Sequence, residues 1–409
     1  MRIQCYDSQE NSEAVNIGQS SFNSRWLKEA YGDAAVEPFM EKPIICSGST
    51  MGEQIAIESD LRGMVSQFDN TKCKMKGCDQ GFHNYMYYSG GLKNVQGVRD
   101  VVVFGQGKGI INNLGVLRSK PLREWGLLDA DTMKVLNWDK SVSPVAHQWD
   151  RDSELNDHLK EVRQTYESAF KAGTLSESSV INAVGVQGLP VPSIVNGIVF
   201  PSPAKEGTHP IIKPTFGEHR SHVDAVFALA EGYDLKMYLL FIESLKDTGF
   251  TGDLVLSVSA VGALKSGVEE YLRSNHKQEG EDGINVVAYT VTWTCYEGDG
   301  VTVANGAAEG VRKCALVDMF GGADGTAIPD PREPRPVATA RYELYWAWSL
   351  HYDKHSWLML IDSRDAHFQL NPFSTLERES DSTRSDGLLY FFEVSSSMDN
   401  NANFCSTNS

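Results

Sequence analysis

Apolar runs and amphipathic segments alternate along the second half of the chain. The runs LVLSV, NVVAY and WLMLI have the length and composition of buried strands, and segments with a helical period lie between them. Alternation of this kind is typical of βαβ units, in which parallel strands form a sheet and helices cover it. The pattern therefore predicts an α/β fold with a mostly parallel sheet flanked by helices.

The pattern of hydrophobic and polar residues is less regular in the first half of the chain. Helices are predicted at SSFNSRWLKEAYG, at residues 52–68, at QGFHNYMYY and at DSELNDHLKEVRQTYESAF, and a strand is predicted at residues 43–46, followed by a Gly/Ser turn. A stretch rich in Ser, Gly and Pro follows, without a helical period. We thus divide the chain into a first half at 1–165, a linker at 166–210, a second half at 211–395 and a disordered tail at 396–409.

Composition narrows the possible partners. The chain has 409 residues, 41% of them hydrophobic and 22% charged, which is typical of a soluble globular protein. Its formal net charge of −17 argues against a nucleic acid or an anionic membrane as partner, because both would be repelled. No apolar run reaches the roughly 18 residues of a membrane helix, and the polar N-terminus lacks the apolar core of a signal peptide. We expect neither a membrane segment nor a signal peptide in this chain.

The chain contains seven cysteines, and only Cys73 and Cys78 lie close together. Their spacing is not that of a zinc ribbon, since no second pair accompanies them. A disulfide between them is one alternative in an oxidising compartment. For a chain without an export signal, free thiols are the expectation.

Three motifs carry candidate chemistry. LMLIDSRDAHFQLNPF, residues 358–373, leads a buried strand into two carboxylates around an arginine, and carboxyl ends of strands are where open α/β sheets bind ligands. GCDQGFHNYMYY at 77–88 places Asp79 and Gln80 at the start of a helix. SPVAHQWDRD at 143–152 places His147 in a loop. Without further context each has an ordinary structural interpretation: an ion pair at a strand end, a helix cap and a loop histidine.

Together these motifs resemble GT-A glycosyltransferases, the nucleotide-diphospho-sugar transferase fold. The first resembles their strand with an acid-x-acid element, the second is similar to the Asp-Gln…Asn element of glycogenin-like members, and the third resembles the histidine loop of their metal site. The resemblance covers about three quarters of the chain and implies transfer of a sugar from a nucleotide diphosphate donor to an acceptor that the sequence does not name. Relatives of this kind commonly work in the Golgi lumen.

The order of the motifs differs from that of the family. The Asp-containing strand normally comes first, whereas here it lies in the second half of the chain. The chain is either a circular permutant, with residues 172–209 joining the former termini, or a fragment of tandem domains. In both cases one chain holds both halves of a catalytic domain.

The resemblance assigns roles residue by residue. It implies a Mn²⁺ or Mg²⁺ ion that neutralises the leaving diphosphate, and one imidazole ligand shifts the preference towards Mn²⁺. The implied metal ligands are Asp362, Asp365 and His147. The implied catalytic residues are Asp79 and Gln80. The implied contacts to the nucleotide sugar are Asp362, Arg364, Thr215, Arg220 and Asn84.

One departure from the family pattern leaves alternatives open. Arg364 stands where the second acid of the acid-x-acid element is expected, and Asp365 comes one residue later. Arg364 itself is therefore an alternative ligand for the diphosphate. Asp150 and Arg151 are candidates to orient the imidazole of His147. The alternative functions are an inactive fragment or pseudo-enzyme that acts as a binding domain, and a hydrolase or pyrophosphorylase that acts on nucleotide sugars.

Overall fold

The computed structural model of the chain describes residues 16–93, 95–175, 209–277, 281–297, 301–304, 313–322, 324–376, 378 and 383–394. Residues 176–208, most of the predicted linker, and the predicted tail at 396–409 lie outside the described residues. Within the described ranges, no helix is both long and apolar enough to cross a membrane.

The described residues form helices and strands in both halves. The helices are α1 Ser21–Tyr31, α2 Asp33–Val36, α3 Gln54–Thr71, α4 Cys78–Tyr88, α5 Ser153–Lys171, α6 Leu235–Asp247, α7 Val268–Ser274 and α8 Val337–Ser349. The strands are β1 Ile45–Glu53, β2 Val98–Phe104, β3 Ile111–Asn113, β4 Val145–His147, β5 His209–Pro210, β6 Ala225–Leu229, β7 Asp253–Val258, β8 Asn285–Thr290, β9 Thr292–Tyr296, β10 Lys313–Val317, β11 Phe320–Gly321, β12 Ala327–Ile328, β13 Trp357–Ile361, β14 Ala366–Phe368 and β15 Gly387–Glu393.

The fold is mixed α/β, built on a mostly parallel seven-stranded sheet flanked by helices. The strand order is β2-β15-β1-β13-β6-β7-β8, and only β1 runs antiparallel to its two neighbours. One hydrophobic cluster joins the sheet to α3, α4 and α8, and a second joins it to α6 and α7. The alternation of strands and helices predicted for the second half is confirmed.

The two halves of the chain meet in the same sheet. β1, from the first half, lies between β13 and β15, from the second half, and β2 pairs with β15 at the edge. A second junction joins β4 to β14 in a small three-stranded sheet, with His147 opposite Ala366. The described residues of both halves therefore share one structural unit.

Strand β1 is longer than the sequence predicts. We expected a strand that ends at Cys46, followed by a turn, but β1 continues to Glu53. The pairing of β1 with β15 is interrupted between the pairs Ile45–Glu393 and Thr50–Phe391. In this interval four residues of β1, 46–49, stand opposite a single residue of β15. This bulge explains the Gly/Ser-rich sequence, because small residues permit the close approach of neighbouring chains where a ladder is interrupted.

Among the described residues four cysteines are paired, contrary to the expectation of free thiols. Disulfides join Cys73, in the segment between α3 and α4, to Cys78, the first residue of α4, and Cys295 to Cys314, which face each other on β9 and β10. Cys46 is free and buried. The second pair was missed because its partners are 19 residues apart and come together only through the pairing of the two strands.

A partly buried histidine is held between two tyrosines, close to the residues that follow α8. Tyr352 donates its hydroxyl proton to Asp253 across 2.9 Å, so it accepts a hydrogen bond from Nδ1–H of His219 at 2.8 Å. The Tyr289 hydroxyl, 2.7 Å from Nε2, is then the donor to that nitrogen. The ring also stacks on His351 with 4.1 Å between centroids. This network satisfies both nitrogens of the neutral imidazole.

We expect His219 to make stability fall in acid. Burial, with a smaller contribution from His351, lowers the pKa of His219 from 6.5 to about 2. The unfolded chain protonates near pH 6.5 and the folded chain does not, so stability is lost as the pH falls below 6.5, by about 1.4 kcal/mol per pH unit. Urea unfolding at pH 7 and pH 5 should show that the stability difference between wild type and His219→Gln shrinks by about 2 kcal/mol in acid. A difference that does not depend on pH would contradict a neutral His219.

Candidate functional site

The candidate site lies at the carboxyl edge of the parallel strands. β6, β7 and β8 follow one another in one direction across the sheet, whereas β13 lies on the other side of β6. The chain connections therefore diverge between β6 and β13. A crevice forms at such a point, and open α/β sheets bind their ligands there. We use the word crevice for this edge between the loop after β6 and residues 362–365, where the Ser363 hydroxyl donates to the carbonyl of Leu229.

An arginine of α8 joins two carboxylates at this edge. Arg341 donates from Nη1 to Asp362, at the end of β13, and from Nη2 to Oδ2 of Asp79 at 3.2 Å. Arg341 is buried, whereas the side chain of Asp362 is 45% exposed. Gly48 leaves room for this carboxylate, since a Cβ atom at Gly48 would lie 2.7 Å from Oδ2 of Asp362. The ion pairs thus hold two acidic groups from distant parts of the sequence side by side.

Asp79 lies in the first turn of α4 and is buried. It does not cap the helix, because Gly77 occupies the cap position. Its carboxylate accepts a hydrogen bond from the Ser47 hydroxyl at 3.3 Å in addition to that from Arg341. Burial raises the pKa of Asp79, although the charge of Arg341 opposes the increase. A buried carboxylate with a raised pKa, next to an open crevice, is suited to exchange a proton or to orient a hydroxyl group.

Gln80 and Asn84 support the bulge of β1. Asn84 accepts a hydrogen bond from the N–H of Ile45 at 3.0 Å and donates to its carbonyl at 2.9 Å. Gln80 accepts from the N–H of Ser47 at 3.0 Å. Asn84 is 2% exposed, so the structure gives it a place beneath the strand instead of the expected contact with a nucleotide sugar. The same holds for the amide of Gln80, which faces the backbone of β1.

His147 and Asp365 face each other across the small sheet. Nε2 of His147 lies 3.4 Å from Oδ1 of Asp365, and neither buried atom has a hydrogen-bond partner among the described residues. Nδ1 of His147 lies 2.6 Å from Oδ1 of Asn113. Asn113 donates to the carbonyl of Glu393 at 3.1 Å, which fixes its amide. Asn113 therefore orients the imidazole, in place of the expected Asp150 and Arg151, which pair with each other.

The groups around this pair favour a positive charge between them, either the proton of the imidazolium or a metal ion that replaces that proton. Burial lowers the pKa of His147, but Asp365 and the Cys46 thiol beside the ring outweigh that effect and raise it to about 10. Burial would raise the pKa of Asp365, but His147 and Arg364 beside it lower the pKa overall. Three or more His, Cys, Asp or Glu side chains do not come together as a metal site anywhere in the described part of the chain. The protein thus supplies two facing donor atoms, with Asp362 nearby but held by Arg341.

The remaining predicted contacts separate into two groups. Arg364 is 57% exposed at the mouth of the crevice and contacts Asp365 at 3.2 Å. Thr215 lies beside the carboxyl end of β8, where it accepts a hydrogen bond from the N–H of Thr290 at 3.1 Å. Arg220, by contrast, contacts Asp253 at the amino end of β7. The structure places Arg220 away from the other predicted site residues, because that side chain is buried at the opposite edge of the sheet.

Sequence reasoning missed two residues of the site, Arg341 and Asn113. A signal for Arg341 was present: α8 is otherwise rich in aromatic and aliphatic residues, and a charged residue in a buried helix requires a partner. Asn113 gave no comparable signal, because an Asn-Asn pair near glycines is typical of a turn.

Two surface cavities lie away from the crevice. One, of about 270 Å³, is bordered by His158 and His367 between α5 and α6, and the other lies beside α7. Neither is lined by residues 362–365, so the candidate site depends on the sheet edge and its charged groups.

Comparisons with protein-family models, curated proteins and solved structures returned no match. The functional interpretation therefore depends on the geometry described above and on the sequence resemblance.

Proposed function

We propose that the protein is a GT-A-like glycosyltransferase that moves a sugar from a nucleotide diphosphate donor to an acceptor. The observation that carries the proposal is the convergence of Asp79, His147, Asp362 and Asp365 at one sheet edge, although they come from both halves of the chain. A sheet that contains both halves is compatible with a circular permutant and with a fragment of tandem domains, because either arrangement places both halves in one chain.

A divalent cation is compatible with the buried pair His147 and Asp365. Nε2 of His147 and Oδ1 of Asp365 have no hydrogen-bond partner within the described ranges and lie 3.4 Å apart, close to the roughly 3 Å between neighbouring ligands of an octahedral ion. Mg²⁺-like ions are often held by one or two protein ligands and complete their shell with substrate phosphates and water. His147 and Asp365 would hold such an ion. When bound, it supplies Lewis-acid stabilisation of the leaving diphosphate.

The side chains around this pair have distinct tasks under the proposal. Arg364, exposed at the mouth, donates to diphosphate oxygens as a fork of N–H groups. Arg341 fixes the carboxylates of Asp362 and Asp79 relative to each other. Asp362, half exposed, contacts the ion or the donor sugar. Asp79 orients a hydroxyl group or accepts its proton.

The proposal predicts nucleotide binding that depends on a metal. Thermal unfolding of the chain with UDP, GDP or CDP, with and without Mn²⁺, should show a higher melting temperature for at least one nucleotide when Mn²⁺ is present. A ligand at about 100 times its Kd adds about 2.7 kcal/mol to the free energy of unfolding. Asp365→Asn removes the negative charge of one of the two facing groups and should weaken Mn²⁺-dependent binding by at least about tenfold.

The control for this variant is Asp131→Asn, which removes the same charge from an exposed turn. It should bind nucleotides as the wild type does. A cooperative melt that no nucleotide shifts, with or without Mn²⁺, would contradict the proposal. Equal losses in both variants would mean that only net charge matters.

One observation favours a second candidate, a binding domain without transferase activity. Arg364 replaces the expected second acid, and Arg341 already neutralises Asp362. Nucleotide binding that Mn²⁺ does not strengthen, combined with no release of nucleotide from any nucleotide sugar, would support this candidate.

A further inference from the structure

A tryptophan at the carboxyl edge is fixed in orientation by a partly buried carboxylate. Trp293, the second residue of β9, donates its indole N–H to both oxygens of Glu231, at 3.0 and 2.9 Å. The Ser257 hydroxyl, near the end of β7, donates to the same carboxylate. One N–H shared between two oxygens fixes both the position and the direction of the indole ring. Trp293 is partly buried and packs against the hydrophobic cluster beneath the sheet.

This pair borders the crevice described above. Glu231 lies two residues after the end of β6, in the loop on one side of the crevice. Tyr233, two residues further, lies close enough to Asp362, Asp365 and Arg364 for their charges to act on its hydroxyl. The Cα atoms of Glu231 and Tyr233 are at most about 7 Å apart. The fixed indole and the proposed diphosphate end of the crevice therefore lie at the two ends of one short loop.

A carboxylate is a costly way to attach a hairpin to a sheet. Burial raises the pKa of Glu231, and the hydrogen bonds from Ser257 and Trp293 only partly offset that effect. A backbone carbonyl would hold the β9–β10 hairpin without placing a partly buried charge there. The carboxylate holds the indole ring of Trp293 in a single orientation. A ring that is already ordered binds a flat partner with little further loss of entropy.

We propose that Trp293 is the platform on which the nucleobase of the donor stacks, with Glu231 as the residue that positions it. The inference depends on the proposed function and adds to it the recognition of the base at a defined residue. A nucleobase is the flat part of a nucleoside diphosphate whose phosphates lie near residues 362–365. Stacking of a base on an aromatic side chain corresponds to about a 5- to 150-fold change in affinity.

The test compares a ligand that contains a nucleobase with a ligand that contains none. Titration calorimetry in the presence of Mn²⁺ uses UDP or GDP, whichever binds, and inorganic pyrophosphate. Trp293→Ala should weaken nucleotide binding about 5- to 150-fold and leave pyrophosphate binding unchanged. Trp293→Phe keeps a ring but loses the bond to Glu231, so its loss should be smaller than that of alanine. Trp125→Ala, on another part of the surface, is the matched control and should bind both ligands normally.

Fluorescence gives a second measurement that a structural role would not change. The nucleotide should quench tryptophan emission in wild type and in Trp125→Phe, but not in Trp293→Phe. Equal affinities of Trp293→Ala and wild type for the nucleotide would overturn the inference, as would an equal loss of pyrophosphate binding. If Trp293→Ala does not fold, the nucleotide affinity and the fluorescence quenching of Trp293→Phe test the inference instead. If the wild type binds neither ligand, the proposed function fails and this inference fails with it. If the wild type binds the nucleotide and the Trp293 variants bind it equally well, only the inference fails.

Discussion

Replacing Arg220 by methionine is expected to lower the free energy of unfolding by about 3–5 kcal/mol, the usual cost of removing one partner of a buried ion pair. Nε of Arg220 contacts Oδ1 of Asp253 at 2.8 Å, and Nη2 donates to the carbonyl of Thr251 at 2.9 Å. Asp253 is fully buried. Its charge would remain without its cation after the substitution, which is why the expected loss is large.

Urea unfolding at pH 7 measures this effect, with Arg123→Met as the control. Arg123 pairs with Glu154 at the surface, where both side chains are about 40% exposed. An exposed pair contributes at most about 1 kcal/mol, so Arg123→Met should change stability little. Nucleotide affinity gives an independent check. A stable Arg220→Met variant that no longer binds nucleotides would show that Arg220 belongs to the ligand site after all.

The sheet could be predicted where the strands are central. β7 and β13 are buried along their whole length, so their sequences are mostly apolar runs of strand length between helical segments. β1 could not be predicted in full, because its Gly/Ser segment reads as a turn. Its hydrogen bonds come from Gln80 and from Tyr342, which lies 295 residues away from Ser47 in sequence. Hydrogen bonds between residues so far apart in the sequence leave no local sequence pattern.

The acidic residues of the candidate site were identified from the sequence, but their partners were not. Asp362 and Asp365 follow a recognisable strand, and His147 belongs to a quoted motif. Arg341 lies inside a helix whose apolar residues dominate its pattern, and its role depends on two carboxylates 262 and 21 residues away. The sequence gives the loop before β6 without showing where that loop packs, so it did not indicate that Arg220 lies at the amino end of β7. Thus the sequence indicates which residue types carry chemistry, and the tertiary structure decides which of them face one another.

Under the proposed function, Asp79→Asn should lower the rate of sugar transfer or donor hydrolysis by about 10²- to 10⁴-fold, the contribution of a positioned proton acceptor. Nucleotide affinity should change little, because Arg341 keeps its ion pair with Asp362 and asparagine keeps a hydrogen-bond acceptor for Ser47. Release of nucleoside diphosphate from a panel of nucleotide sugars, measured by chromatography with Mn²⁺ present, gives the rate.

Asp60→Asn serves as the control for this comparison. Asp60 is also buried, on α3, and burial raises its pKa to about 7, but it has no ion-pair partner among the described residues. Its replacement tests the general effect of removing a buried carboxyl group. A rate that falls in Asp79→Asn alone, at unchanged nucleotide affinity, separates a catalytic role from a structural one. Equal rates in wild type and Asp79→Asn would mean that the Asp79–Arg341–Asp362 cluster only stabilises the crevice, and that proton transfer depends on another group.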